Sequence, residues 1–147
     1  MLKHIPPVLS PELLKILMEM GHGDEIVIAD GNFPSAAIAQ LLVRLDGHGV
    51  LEILEAVMRF FPLDAYTEKP VALMEVVPGD PVVPAIWDDY RIIIQKAEPD
   101  RCKIEFIERF AFYERAKKAY AVIATGETAI YANILLKKGV VSKADCV

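Results

Sequence analysis

Short runs rich in β-branched residues alternate along this chain with segments of helical periodicity, and that alternation restricts the possible folds more than any other feature. Strands are predicted at residues 25–29, 71–76, 103–108, 120–124 and 133–137. Helices are predicted from Pro11 to about residue 20 and at 50–61, 86–96 and 110–118. Strands alternating with helices favour an α/β fold around a largely parallel sheet. Since 147 residues suit one domain, we predict a single compact domain over residues 1–147, with helices flanking the sheet.

The first helix carries recognisable signals at both ends. Ser10 is a good N-cap, and Pro11 suits the first helical position. Gly21 is a natural C-terminal cap. These signals predict a helix of about three turns, followed by the GHGDE segment that precedes the first strand.

Composition and charge exclude some classes of partner. Hydrophobic residues make up 54% of the chain and the mean hydropathy is +0.32, so the chain can bury a core and keep apolar surface for a subunit interface. Lys and Arg number 16 against 21 Asp and Glu, a net charge of -5. That sign opposes binding to a phosphate backbone, so we expect no nucleic-acid partner.

The sequence favours a cytoplasmic protein. No uncharged apolar run approaches the ~18 residues of a membrane span, and prolines interrupt the N-terminal segment where a signal peptide would need its apolar helix. Cys102 and Cys146 lie far apart without a CxxC spacing, which indicates neither a disulfide framework nor a thiolate zinc site. We therefore expect a reducing compartment and no membrane association.

The sequence lacks the common motifs for cofactor binding, metal binding and nucleophilic catalysis. The glycines around His22 follow a helix and lack the third glycine and the lysine of nucleotide-binding loops. The three histidines show no metal-ligand spacing, and neither the serines nor the cysteines lie in a nucleophile pattern. We predict no metal, no cofactor and no covalent catalysis.

Ligands of α/β sheets bind beyond the carboxyl ends of the strands, and three segments are candidates for that edge: Asp30 with its turn, Arg109, and the loop 125–133. Together with His22, they contain polar groups that could bind the hydroxyls of a neutral polyol. Each has an alternative explanation. His22 could be a solvated loop residue, Asp30 a turn former, Tyr131 a packing ring and Asn133 a turn cap, and Arg109 could pair with Glu105, Glu108 or Glu114.

Three long blocks carry a family resemblance: LSPELLKILMEMGHGDEIVIADGNFP, RFAFYERAKKAYAVIATGE and YANILLKKGV. Nearly end to end, the chain resembles the L-fucose mutarotase and D-ribose pyranase family. Arg109, at the head of the second block, is similar to the fucose branch, whereas the ribose branch has a histidine there. Ala132 matches the ribose pattern, where the fucose pattern often has glycine.

The resemblance implies a ribose-pyranase-like fold and an isomerase that interconverts the α and β anomers of a reducing monosaccharide without cofactor or metal, and L-fucose is the expected sugar. It implies a cytoplasmic homo-oligomer, often a decameric ring. His22 would be the proton donor, and the substrate-binding residues would be Asp30, Arg109, Tyr131, Ala132 and Asn133. Trp87, Phe110, Phe112 and Tyr113 are expected only to pack. A non-catalytic sugar-binding or regulatory protein and a D-ribose pyranase are the alternatives.

The position of His22 predicts a site shared between subunits. His22 precedes the strand at 25–29 and Asp30 follows it, and eight extended steps cover roughly 26 Å. Two short side chains could hardly reach one small sugar from opposite ends of a strand, so a neighbouring subunit would bring its His22 to this edge. The competing possibility is that the strand starts later or that the GHGDE loop folds back sharply.

Overall fold

The computed structural model describes residues 1–146 and folds them around one six-stranded mixed sheet, with strand order β2-β5-β1-β6-β3-β4. The strands are β1 (Glu25–Ala29), β2 (Leu42–Leu45), β3 (Val71–Met74), β4 (Ile104–Ile107), β5 (Ala121–Thr125) and β6 (Ile134–Lys137). β1 pairs in parallel with β5, β5 with β2, and β3 with β4. β6 lies between β1 and β3 and runs antiparallel to both. Five strands thus share one direction, and the predicted α/β class with a largely parallel sheet is confirmed.

Helices cover both faces of the sheet. They are α1 (Pro11–Glu19), α2 (Ser35–Ile38), α3 (Val50–Met58), α4 (Ile86–Ala97) and α5 (Arg109–Lys118), with a short 3₁₀ turn at Pro99–Arg101. Successive strand side chains point to opposite faces, so Ile26 and Ile28 join a core with α1, α3 and α4, whereas Val27 and Ala29 join a second core with α5. Burial on both faces explains why β1 is continuously apolar.

Two elements escaped the sequence prediction, and several boundaries move. α2 has only four residues and no side-chain cap, and β2 is a short edge strand interrupted by the exposed Arg44, so neither produces a periodic signal. The predicted helix 50–61 ends at Met58, the strand 71–76 ends at Met74, and the strand 103–108 contracts to Ile104–Ile107.

At the first helix, the predicted start is confirmed and the helix ends at Glu19, within one residue of the prediction, but Gly21 does not act as the C-terminal cap. Ser10 Oγ accepts a hydrogen bond from the backbone N–H of Leu13 at 3.2 Å. At the other end, Met20 takes the C-cap position in an extended conformation, and its side chain is buried in the core. Gly21 instead donates its N–H to Asp24 Oδ2 at 2.7 Å. Burial of Met20 turns the chain out of the helix before Gly21 is reached.

The reversed direction of β6 brings its first residues to the edge where the parallel strands end. Ile134 pairs with Ile28 of β1 and with Leu73 of β3. The segment before β6 therefore meets the segments that follow β1 and β3 at one edge of the sheet, which is called the exit edge below. Candidate residues distant in sequence come together at the exit edge through this topology.

Within residues 1–146, no helix has the length and apolar character needed to cross a membrane.

Candidate functional site

Asp30 is the buried acid of the exit edge, with a relative exposure of 5%. Its backbone N–H donates to Asn133 Oδ1 at 2.8 Å, and its Oδ1 accepts from the backbone N–H of Asn32 at 2.9 Å. Burial raises the pKa of Asp30 above its usual value, and donors from Asn32, Ala132, Phe33 and Asn133 offset this only in part. Asp30 therefore forms the turn after β1 and also carries a carboxyl group whose pKa is raised by burial.

A cavity of about 250 Å³ opens at the exit edge and brings together four of the six predicted site residues, Asp30, Arg109, Tyr131 and Asn133. The remaining lining residues come from the turn after β1, from β3 and the loop that follows it, from α5, and from the loop before β6: Asn32, Phe33, Met74, Val77, Asp80, Tyr113 and Ile130. A second cavity of about 300 Å³ also includes Asp30 and extends past α2 towards Arg44. The cavity of 250 Å³ is called the exit cavity below.

Arg109 opens α5 and is held by aromatic rings. Its Nε donates to Tyr113 Oη at 3.2 Å, and its guanidinium carbon lies 5.4 Å and 5.5 Å from the ring centroids of Phe110 and Tyr113. The expected surface ion pairs go elsewhere: Glu105 pairs with Arg115, Glu114 pairs with Lys117, and Glu108 caps α5 through the N–H groups of Phe110 and Ala111. Arg109 is thus presented to the exit cavity by its neighbours on α5.

Tyr131 lies in the left-handed region with φ 58°, a conformation rare for a residue with a side chain. The indole N–H of Trp87 donates to its carbonyl oxygen at 2.8 Å, and Tyr90 Oη donates to the carbonyl oxygen of Ala132 at 2.6 Å. The Tyr131 hydroxyl donates to Asp80 Oδ2 at 2.7 Å. α4 therefore holds the backbone of this loop in place, and Asp80 holds its phenol.

Ala132 and Asn133 differ in what they can offer a ligand. Ala132 is fully buried and its methyl group belongs to the core, so its side chain cannot touch a molecule in the exit cavity. Asn133 is also buried, but its amide borders the cavity and binds the backbone of Asp30. The structure thus limits any contribution of Ala132 to its backbone.

His22 lies at the opposite edge of the sheet from the exit cavity. The chain enters β1 after His22 and leaves it at Asp30. His22 Nε2 lies 3.0 Å from Asp64 Oδ1, and its ring packs on Tyr66 with centroids 5.1 Å apart. The other ring nitrogen, Nδ1, makes no hydrogen bond within residues 1–146. In a single chain, His22 and the exit cavity do not meet.

Asp64 is buried beneath His22 and is well satisfied. It accepts from Thr67 Oγ1 at 2.7 Å and from the backbone N–H of Tyr66 at 3.1 Å, besides its contact with His22. Burial alone would raise the pKa of Asp64, but the hydrogen bonds from Thr67, Tyr66 and His22 outweigh it and hold the pKa below its usual value. A fixed carboxylate therefore faces the imidazole and holds the ring through Nε2.

Sequence reasoning missed several residues that build the exit cavity. Asp80 follows Gly79 in a proline-rich stretch that carries no periodic signal, and Asn32 and Phe33 follow the turn at Asp30. Trp87 and Tyr113 were expected only to pack, yet each makes a polar contact with a predicted site residue. The polar atoms of these two aromatic side chains were the signal that could have identified them.

Within residues 1–146, no group of three or more His, Cys, Asp or Glu side chains is arranged to hold a metal ion.

Comparison with known proteins gives consistent relatives over nearly the whole chain. The chain is 51% identical over 140 residues to the L-fucose mutarotase of Actinobacillus pleuropneumoniae serotype 5b, covering 95% of this chain and 97% of that protein. It is 52% identical over 147 residues to the fucose mutarotase of Homo sapiens, covering 96% of this chain and 95% of that protein.

Two solved structures place the fold. The fucose mutarotase of Streptococcus pneumoniae, in complex with L-fucose, superposes with a TM-score of 0.92 at 54% identity, covering 96% of this chain and 100% of that chain. Bacillus subtilis RbsD, complexed with D-ribose, superposes with a TM-score of 0.72 at 27% identity, covering 97% and 100%. The model of the RbsD / FucU transport protein family matches residues 3–141. This chain therefore belongs to the RbsD / FucU transport protein family.

Proposed function

We propose that this protein is a mutarotase that interconverts the α and β anomers of L-fucose. The proposal rests on sequence similarity: about half of the residues, over nearly the full length of the chain, are identical to those of fucose mutarotases. The structure of one of these proteins contains L-fucose. The exit cavity supports it, because Asp30, Arg109 and Tyr131 offer both acceptors and donors to sugar hydroxyls.

Anomerisation requires acid–base chemistry and no electron sink. The proton on the anomeric oxygen O1 passes to a base, the bond between C1 and the ring oxygen breaks, and the ring oxygen takes up a proton from an acid. The C1–O1 bond becomes the carbonyl of the open chain. Rotation about C1–C2 and reversal of these steps close the ring on the other carbonyl face. Such acid–base assistance is worth ~10² to 10⁴-fold.

Four residues of the exit cavity bind the sugar, and His22 is the acid. Asp30 accepts hydrogen bonds from sugar hydroxyls, Arg109 donates to a sugar oxygen, and Tyr131 and Asn133 contact the rest of the sugar. The Asp64 carboxylate holds the His22 ring through Nε2. His22 then donates the proton to the ring oxygen through Nδ1, since Nε2 faces Asp64.

A second subunit supplies that histidine. Because His22 and the exit cavity lie at opposite edges of the sheet, one chain cannot complete the site. Both edges carry exposed apolar residues suited to a subunit contact. Tyr66, beside His22, is 82% exposed, while Ile130 and Phe110, beside the cavity, are 48% and 66% exposed. In the assembly, the His22 edge of one subunit covers the exit cavity of the next.

The assembly and setting complete the proposal. One sugar mutarotase domain spans residues 1–147, and its copies form a closed homo-oligomer, a decameric ring in keeping with the family resemblance. Cys102 and Cys146 are free thiols, as is usual in the reducing cytoplasm.

Saturation-transfer NMR on an equilibrium mixture of L-fucose anomers tests this function. Catalytic amounts of protein are expected to accelerate anomer exchange of L-fucose more than exchange of D-ribose or D-galactose. Binding of L-fucose without faster exchange would make the protein a non-catalytic sugar-binding protein, and preferential exchange of D-ribose would make it a D-ribose pyranase. Either result would contradict the proposal.

Metal removal provides an independent prediction. Because the reaction needs no Lewis acid, dialysis against EDTA should leave the exchange rate of L-fucose unchanged. The same NMR measurement before and after chelation checks this. Loss of exchange that one divalent metal restores would overturn it.

A further inference from the structure

The Tyr131 hydroxyl borders the exit cavity with its only proton already engaged. The phenol donates to Asp80 Oδ2 at 2.7 Å, and the phenol oxygen accepts from the backbone N–H of Val77 at 3.4 Å. A tyrosine hydroxyl has one hydrogen to donate and two lone pairs to accept with. With the hydrogen turned towards Asp80 and one lone pair taken by the N–H of Val77, one lone pair remains to accept from a ligand.

Asp80 is itself held so that it cannot easily turn away. Its second oxygen, Oδ1, accepts from the backbone N–H of Val82 at 3.0 Å and closes the loop after β3. Gly79, with φ 90°, allows the chain to turn immediately before it. The partner is equally fixed, because Trp87 holds the carbonyl oxygen of Tyr131. The Asp80–Tyr131 pair is therefore a rigid polar contact between two loops.

The charge of Asp80 also favours Tyr131 as an acceptor towards the cavity. The hydrogen bond to Asp80, with desolvation, raises the pKa of Tyr131 above its usual value, so the hydroxyl stays protonated. The other charged group of the cavity wall near Tyr131 is Arg109, whose guanidinium is a donor without acceptor capacity. The two side chains thus offer opposite polarities: Arg109 donates and Tyr131 accepts.

We propose that Asp80 is a positioning residue of the sugar site, which orients the Tyr131 hydroxyl so that it accepts a hydrogen bond from a sugar hydroxyl. The inference rests on the proposed function and narrows the substrate to sugars that place a free hydroxyl, as donor, opposite Tyr131. Asp80 needs no contact with the sugar for this role. Loss of its acceptor would reverse the direction of the Tyr131 hydrogen bond.

The substitution Asp80→Asn separates this role from the structural one. The amide keeps an oxygen for the N–H of Val82, but its nitrogen can only donate towards Tyr131, which must then donate into the cavity. We expect KM for L-fucose to rise about tenfold, the size of one lost hydrogen bond, while kcat stays within about threefold. Asp88→Asn is the matched control, because Asp88 is an exposed acid of α4 paired with Arg91; it should leave both constants unchanged.

A double-mutant cycle with Tyr131→Phe distinguishes a positioning role of Asp80 from a merely structural one. Tyr131→Phe should raise KM by a similar factor, and Asp80→Asn should add nothing in that background. The inference would be overturned if Asp80→Asn raised KM by the same factor in the wild-type protein and in Tyr131→Phe. It would also be overturned if Asp80→Asn alone left KM at the wild-type value. Absence of L-fucose exchange by the wild-type protein would instead overturn the proposed function.

A ligand-side measurement keeps the inference testable if Asp80→Asn fails to fold. Monodeoxyfluoro analogues of L-fucose replace one hydroxyl at a time with a fluorine that cannot donate. Wild-type protein should bind one analogue about tenfold more weakly than L-fucose, and Tyr131→Phe should bind that analogue and L-fucose equally. If Tyr131→Phe shows the same preference against every analogue as the wild type, Tyr131 does not act as an acceptor and the inference fails.

Discussion

Asp30 combines two properties that a folded protein rarely combines without a functional reason: it is almost fully buried, and it is an acid. Backbone N–H groups around the turn satisfy part of its hydrogen-bonding capacity, but burial still raises its pKa. A sugar whose hydroxyls donate to the carboxylate requires the ionised form. Binding should therefore weaken in mild acid.

The first prediction follows from that direction. An ordinary aspartate has a pKa of about 3.9, and an aspartate with a raised pKa takes up its proton at a higher pH. As the pH decreases, the affinity for L-fucose should therefore begin to fall while the pH is still above the pKa of an ordinary aspartate. Titration calorimetry across the acidic range, with circular dichroism to confirm the fold, measures this. An affinity that stays constant down to pH 4 would contradict the assignment of Asp30.

The second prediction concerns His22. Glutamine retains hydrogen bonding but cannot donate a proton under these conditions, so His22→Gln should slow anomer exchange by ~10² to 10⁴-fold. The affinity for L-fucose and the melting temperature should change little, because the ring is half exposed at the edge of the sheet. NMR exchange rates and calorimetry on the same preparation test both parts. Undiminished exchange would remove His22 as the acid.

At the scale of elements, the loops at the exit edge stabilise one another. Gly31 donates its N–H to the carbonyl oxygen of Glu127, and Gly126 donates to that of His48, at 2.9 Å each. Glu127 also accepts from the N–H of Val50 and so caps α3. The loops after β1, β2 and β5 are therefore hydrogen-bonded to one another at the exit edge.

The third prediction tests this packing. A Cβ at Gly126 would lie 2.0 Å from the carbonyl oxygen of Asp46, a backbone atom that cannot move independently. Gly126→Ala should lower the free energy of unfolding by at least about 2 kcal/mol. Gly47→Ala is the matched control, since a Cβ there meets nothing within 4 Å. Thermal or denaturant unfolding compares the two, and equal stabilities would contradict the described loop contact.

Sequence reasoning succeeded where burial leaves an apolar pattern and failed in the loops. β1 was predicted because it is a short β-branched run, and the helices with apolar faces were predicted because their apolar residues recur at helical spacing. The direction of β6 was not, since a short apolar run reads alike in parallel and antiparallel pairing. Asp30, Arg109, Tyr131 and Asn133 were placed at one edge because they flank strands. Asp80 was missed because its partner lies 51 residues away in a loop without periodicity.

For the whole molecule, the central claim is that the site is completed by a neighbouring subunit. The proposed acid and the sugar cavity lie at opposite edges of one sheet. Exposed aromatic and aliphatic side chains flank both, and such surfaces are usual at subunit contacts. Oligomerisation would then be a condition of activity as well as a source of stability.

Hybrid oligomers test that claim most directly. His22→Ala and Asp30→Ala proteins, each inactive alone, are dissociated, mixed in equal amounts and reassembled, and mixed composition is verified by native mass spectrometry. If each site takes His22 from one subunit and Asp30 from the next, random assembly restores about one quarter of the sites, and anomer exchange of L-fucose should recover to about that fraction of the wild-type rate. If both residues act within one subunit, no hybrid contains an intact site. Verified hybrids without recovered exchange would contradict the account.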